Sequence, residues 1–461
     1  MSRSQSEYVN AASASNDGSE LTQTRLNKPL EAPRFACAFA GAYAAANNIT
    51  RSIPVAHAGA GCVFQQVVGT NFGGGYQGVG YVGGNAAPSC NLSENEVVFG
   101  GEGRLREQLQ ATLELMDGDF YSVLGGCIPA MIGDDVESVV KEVSKSSGAP
   151  ILYVDAAGFK GTSHYGYEQF LKAAITQIVE KPDAKTKGLV NVLGVIPILN
   201  PYWKGIFKEI QRLFSRLGLE ANLVFGHKGA GLKGLQRLSS AELTLVLSPW
   251  VGVESARLLH DTFEVPYTVY PAIPVGPAST SEVLRQVGKA LQLEEQLVEA
   301  VIAEEEKESY YFLDLAGDSV GMFSPSLSFA IVADSGTAIG LTRFLVNEAG
   351  LYPIVVIVTD NPPEAIRPLI EERLTELAYG LKPAIVYEED SYQIHKALDN
   401  YSFGALLASS IEKYYSGKEH AFHISVSFPA NDRLLFDRAY AGYSGGGNLL
   451  EDLFAKFIMP F

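Results

Sequence analysis

Four cysteines, Cys37, Cys62, Cys90 and Cys127, are the side chains of this chain best suited to chemistry. Between Phe35 and Ser93 the only charged residue is Arg51, yet that stretch holds three of the four cysteines and eleven glycines. A segment that excludes charge, keeps thiols and lets backbone approach closely suits the wall of a buried thiolate-held metal cluster. The cysteines are separated by 25, 28 and 37 residues, which misses the short paired spacing of zinc ribbons and fingers. Each sulfur must therefore arrive on a different loop. No cysteine follows Cys127 in 461 residues, so a disulfide framework is not expected either.

The local contexts favour ligation. Cys62 lies in AHAGAGCVFQQVV, where Gly59 and Gly61 permit a tight turn before a helix, and Cys127 closes an apolar run ahead of a helix that Asp134 or Asp135 can cap. A thiolate at a helix N-terminus is stabilised by unpaired N–H groups, which lowers its pKa. The competing reading is four core cysteines, since free Cys is among the most buried residue types. Three of them in one glycine-rich, uncharged stretch, with the fourth in the same predicted domain, tip the balance toward metal.

The elements that must position these thiols follow a strand, loop, helix rhythm. Apolar runs at 120–126, 150–156, 189–197, 221–226, 243–248, 326–334, 352–360, 383–389, 403–409 and 421–428 read as buried strands between helical patterns. They predict an α/β fold of three doubly wound, Rossmann-like domains with parallel sheets, at 31–185, 186–310 and 311–461, after a polar tail at 1–30. The segment ADSGTAIG at 333–340 opens a helix after a strand and offers an anion site, but it lacks the glycine spacing of a dinucleotide fingerprint and the lysine of a phosphate loop. ATP hydrolysis by this chain is not expected.

A formal charge of −17, without a Lys/Arg cluster, argues against nucleic acid or an anionic membrane as partner. The first 28 residues lack a secretory apolar core, and no uncharged run has the hydrophobicity of a membrane span, so a cytoplasmic protein is expected.

In order along the chain, FACAFAGA, AHAGAGC, SCNLSENEVVFGG, GGCIPAMIGDDVESV and GFKGTSHYGY resemble the first domain of the nitrogenase component 1 family. SFPANDR followed by AGYSGGGN resembles its C-terminal domain. The resemblance implies an α2β2 assembly in which an α-like and a β-like chain each give three cysteines to a shared P-cluster, a double-cubane iron–sulfur cluster. Carried onto this sequence, those ligands are Cys37, Cys62 and Cys127. Thr162 or Ser163 falls where some β chains supply a redox-dependent oxygen ligand. Cys90 falls at a place that is not ordinarily a ligand, and is held as a further candidate. His57 and Gly61, beside Cys62, are expected to meet the cluster, His57 by hydrogen bonding to a sulfide.

The resemblance also implies that α chains bind the catalytic iron–sulfur cofactor through a later cysteine and a histidine. With no such cysteine this chain is β-like, with no catalytic residue of its own, and His227, His260, His395, His420 and His423 are expected to be ordinary. Electrons would come from an ATP-hydrolysing iron protein. Between Cys62 and Cys90, VVGTNFGGGYQGVGYVGGNAAPS replaces the basic and aromatic residues of dinitrogen-reducing β chains, its glycines offering N–H groups to a cluster or widening a cavity. The expected activity is methylthio-alkane reduction, with an iron-only or divergent nitrogenase as the second reading and a cofactor-assembly scaffold as the non-enzymatic one.

Overall fold

The computed structural model describes residues 31–78, 80, 87–226, 229–323, 327–415 and 421–458. The 1–30 segment, part of the glycine-rich stretch, His227 and His420 lie outside the described residues.

Among the described residues twelve strands form three sheets, and every ladder is parallel. The first contains β1 (Ser52–His57), β2 (Phe120–Gly125) and β3 (Ile151–Asp155) in that order. The second, β4 (Leu189–Leu193), β5 (Glu220–Asn222), β6 (Leu243–Val246) and β7 (Tyr267–Val269), runs β5-β4-β6-β7. The third, β8 (Ser328–Ala333), β9 (Tyr352–Val358), β10 (Ala384–Tyr387), β11 (Ala405–Ala408) and β12 (Phe422–Ser425), runs β10-β9-β8-β11-β12. Helices cover both faces, as the near-continuous apolar strands require.

Each of the ten apolar runs overlaps a strand, and two strands escaped the sequence reading. β7 has three residues. β1, SIPVAH, carries Pro54, which argues against a strand unless its missing N–H faces away from the ladder. It does: Ala56, two residues on, sends its N–H to Pro88 O at 2.9 Å, away from β2.

Side chains alternate across the first sheet, so each face has its own core. Ile53, Val55, Tyr121 and Val123 pack with Leu105, Leu109 and Val140 on one side. Ala56, Phe120, Leu124 and Leu152 face the other, in a core continuous with Val192 and Leu245 of the second sheet and Phe329 and Val356 of the third. Among the described residues no helix is long and apolar enough to cross a membrane.

At 333–340 the structure shows no open anion site. The Ser335–Asn347 helix starts after β8, but Asp334 accepts from Thr337 N at 3.0 Å and Asp360 accepts from Ser335 N at 2.9 Å. The carboxylates of Asp334 and Asp360 already hold those N–H groups.

Candidate metal centre

Two helices cross at their first turns. The Ala38–Asn47 helix has Cys37 at its N-cap, and the Ser163–Gln177 helix has Thr162 at its N-cap. A Cβ on Gly41 would lie 1.7 Å from Ser163 O, and one on Gly166 would lie 1.8 Å from Ala38 O. Only glycine permits backbone contact this close. The entry segments then pair: Ala38 N donates to Gly161 O and Ser163 N to Ala36 O, both at 2.9 Å, which sets Cys37 opposite Thr162.

Cys127 begins the helix that follows β2 and Gly126. Gly158, in the turn after β3, donates its N–H to Cys127 Sγ at 3.1 Å. A Cβ at Gly158 would lie 2.9 Å from Cys37 Sγ and 3.1 Å from Cys127 Sγ, so both sulfurs lie against one point of backbone. Cys62 is exposed in the first turn of the Ala60–Val68 helix after β1. Its pKa is raised, first by burial and then by the charges of Cys37 and Cys127. The three thiols therefore share one electrostatic neighbourhood, each delivered from the carboxyl end of an element of the first sheet or from the crossing helix.

The expected lowering of thiol pKa at helix N-termini is not what Cys62 shows. Partial burial and two neighbouring sulfurs outweigh the helix dipole, because thiolates brought together repel. Such a set would be stabilised by a bound metal cation, which deprotonates thiol ligands. Among the described residues no three His, Cys, Asp or Glu side chains close around a single ion. The donors present are thiols with one open side, at Cys62 and Gly61, where a Cβ would meet nothing within 4 Å. That donor set fits part of a thiolate-held cluster completed from outside the chain.

Cys90 lies elsewhere. It is fully buried in the core on the other face of the first sheet, with Ile53, Val55 and Leu105. Burial, the leading cause, pushes its thiol up to about 12. His57, also fully buried, places Nε2 3.0 Å from Asp134 Oδ2, and Asp134 in turn accepts from Gly101 N at 2.9 Å. Burial lowers the His57 pKa against the pull of Asp134. Asp135, not Asp134, caps the next helix, accepting from Ser138 N at 3.1 Å. Ser163 is fully buried beside Cys37's partner Thr162, and its Oγ has no hydrogen-bond partner among the described residues.

The rim is apolar. Phe64 and Val68 on the Cys62 helix, Met131 on the Cys127 helix, Phe159 beside Gly158, and Val98 and Phe99 are all exposed. In the glycine-rich stretch, a Cβ on Gly73, Gly74 or Gly75 would meet Phe428, Ile198 or Leu435 at 3.1 Å or less. Those glycines serve close packing against the rest of the chain, where wider space or cluster contact was expected.

Gly158, Gly41 and Gly166 are site-forming residues that motif reading did not single out. Gly158 and Gly166 lie inside the quoted GFKGTSHYGY motif and Gly41 inside FACAFAGA, so a glycine at each was visible but its neighbour was not.

The model of the nitrogenase component 1 type oxidoreductases matches residues 37–458. The β chain of the vanadium-iron protein of Trichormus variabilis is 24% identical over 450 residues, covering 90% of this chain and 90% of that one. The β chain of the iron-iron protein of Rhodobacter capsulatus is likewise 24% identical over 450 residues, covering 91% and 92%. Among solved structures, nitrogenase Cp1 at pH 6.5 superposes with a TM-score of 0.79 at 20% identity, over 94% of both chains, and supports the fold. The chain thus belongs to the nitrogenase component 1 type oxidoreductases, as a β-type member.

Proposed function

We propose that this chain is the β-like subunit of a nitrogenase-like reductase, in which Cys37, Cys62 and Cys127 hold half of a P-cluster-type iron–sulfur cluster shared with an α-like partner in an α2β2 assembly. The observation that carries this reading is the convergence of Cys37 and Cys127 on Gly158, with Cys62 open beside them under an exposed apolar rim. A thiolate-held cluster of this class supplies one-electron storage and transfer at a potential tuned by hydrogen bonds to sulfur. Gly158 N–H at Cys127 Sγ is one such bond. Thr162, opposite Cys37, and Ser163, whose buried hydroxyl has no partner among the described residues, are the two candidates for an oxygen ligand. Phe64, Phe99, Met131 and Phe159 exclude water once the partner covers them.

An ATP-hydrolysing iron protein would supply the electrons, and an iron–sulfur cofactor of the partner would supply the reducing chemistry. No catalytic residue is assigned to this chain, and at the junction of its three sheets the loops contact one another. Trp250 donates Nε1–H to Asp360 at 2.9 Å, the His164 ring lies 5.6 Å from Trp250 and 4.7 Å from Phe35, and Asn200 reaches Thr337 Oγ1 at 3.4 Å. These contacts tie the loops of the three sheets together at the carboxyl ends of their strands, where α/β folds gather ligands.

The substrate class is small methylthio compounds, cleaved reductively at carbon–sulfur bonds. Support comes from the stretch between Cys62 and Cys90, whose run of glycines departs from the basic and aromatic pattern that the resemblance gives for dinitrogen-reducing β chains. The test is parallel turnover by the purified complex with its iron protein and ATP, on dinitrogen and on a methylthio-alcohol. Methanethiol without ammonia is expected. Ammonia without methanethiol replaces this reading with a divergent or iron-only nitrogenase, and an iron-loaded complex that turns over neither makes the chain an assembly scaffold.

A further inference from the structure

The segment just upstream of Cys37 lies on the third sheet's loops, whereas the other two thiols follow strands of the first sheet. Ser391 N donates to Ala32 O at 2.8 Å, Ala32 N to Asp390 Oδ2 at 3.0 Å and Arg34 N to Glu389 O at 3.3 Å. The Arg34 guanidinium turns inward and meets both oxygens of Glu412, with each side chain wholly buried. Glu412 also accepts from Ser409 N at 3.0 Å and Ser409 Oγ at 2.7 Å, and His395 Nε2 lies 3.6 Å away. Phe35 then stacks on Phe428 with centroids 6.2 Å apart, and two residues later Cys37 reaches Thr162.

A buried ion pair is weak evidence for net stability, since desolvating both charges offsets most of their attraction. What a guanidinium–carboxylate fork adds is fixed geometry. Geometry is what an extended segment needs, because a slip of one residue turns every side chain to the opposite face. Pro33 has no N–H to give, while Glu31, Ala32, Arg34 and Ala36 each make a backbone bond, and the Arg34 side chain adds the fork that ties this register to Glu412.

We infer that the Arg34–Glu412 pair is a positioning device for Cys37: it registers residues 31–37 on the third sheet so that the thiol meets Gly158 and Cys127. The inference rests on the reading of Cys37 as a cluster ligand and adds that the third sheet, which holds none of the thiols, decides where that ligand sits. It concerns Arg34 and Glu412 as positioning residues only.

The test uses the full chain, reduced and freed of metal, under brief iodoacetamide treatment, with labelling at each cysteine read by peptide mass spectrometry. Arg34→Lys keeps the charge and removes the fork, while Glu412→Gln keeps an acceptor and removes the charge. The expected result is a rise of about fivefold in Cys37 labelling relative to Cys62, the ratio that a local loosening of about 1 kcal/mol produces, with Cys90 still protected. The loaded Arg34→Lys complex is expected to show a changed electron paramagnetic resonance signature with Cys90 still protected. An unchanged Cys37 to Cys62 ratio in folded variants overturns the inference. So does labelling of Cys90 in step with Cys37 in both variants, which marks a general staple. A wild-type complex that carries no iron sinks the cluster reading instead, and the labelling ratio of the metal-free chain is read independently of it.

Discussion

Cys62 and Cys90 are chemically identical and face opposite fates. Cys62 is exposed on the first turn of a helix, and its pKa is raised first by partial burial and then by two neighbouring sulfurs. Cys90 is sealed among Ile53, Val55 and Leu105, pushed to about 12 by burial. Alkylation of the metal-free chain near neutral pH is therefore expected to modify Cys62 first, Cys37 and Cys127 more slowly, and Cys90 only on unfolding. Timed labelling with peptide mass spectrometry checks the order, and early modification of Cys90 would contradict the burial argument. That Cys90 stands apart was not legible in the sequence. It lies in the same uncharged, glycine-rich stretch as Cys37 and Cys62, and only its docking on the edge of β1, where Cys90 N donates to Ala56 O at 2.9 Å, puts its side chain in the core of Ile53 and Val55.

At the scale of elements, the site depends on how closely the Ala38–Asn47 and Ser163–Gln177 helices approach. Gly41→Ala puts a methyl group 1.7 Å from Ser163 O, a backbone atom that cannot rotate away. The helices must part, at a cost of roughly 3 kcal/mol or more by analogy with overpacked cores, and both the melting temperature and the iron content are expected to fall. Gly61→Ala is the contrasting variant. Its methyl meets nothing within 4 Å, and alanine in a helix is favoured over glycine by about 1 kcal/mol. The chain is expected to melt no lower, while the complex takes up less iron, because the added methyl intrudes on the open side of the thiol set. Thermal melting and iron per complex separate the two. Strands announced themselves as apolar runs, whereas this crossing was hidden: a glycine within a helix pattern shows no sign of the carbonyl it must pass.

Across the whole molecule, the Arg34–Glu412 contact joins residues 378 apart in the chain. Burial alone would raise the Glu412 pKa, but Arg34, His395 and Ser409 overcome it and hold the group at about 2, below its ordinary 4.5. A carboxylate whose folded pKa is depressed stabilises the fold above its unfolded pKa and loses that contribution as the pH falls toward the folded value. The wild-type chain is thus expected to lose roughly 3 kcal/mol between about pH 4.5 and about pH 2 through this group. Glu412→Gln, which leaves Arg34 buried without its counter-charge, is expected to show a similar deficit already at neutral pH and a flatter acid profile. Melting temperature against pH for both proteins checks this, and parallel profiles would contradict it.

The amino-acid sequence alone determined that three of four thiols stand in an uncharged, glycine-rich stretch, that ten apolar runs make parallel sheets, and that ordered motifs place the chain in its family. These are local properties: hydrophobic period, turn chemistry and residue type within a short window. The tertiary structure alone decided that Cys90 faces a separate core, that Gly41, Gly158 and Gly166 bring backbone against backbone and sulfur, and that the third sheet grips the segment leading to Cys37. Each of those depends on which distant atoms a fold brings within a few ångströms, and no short window of sequence records its future neighbours.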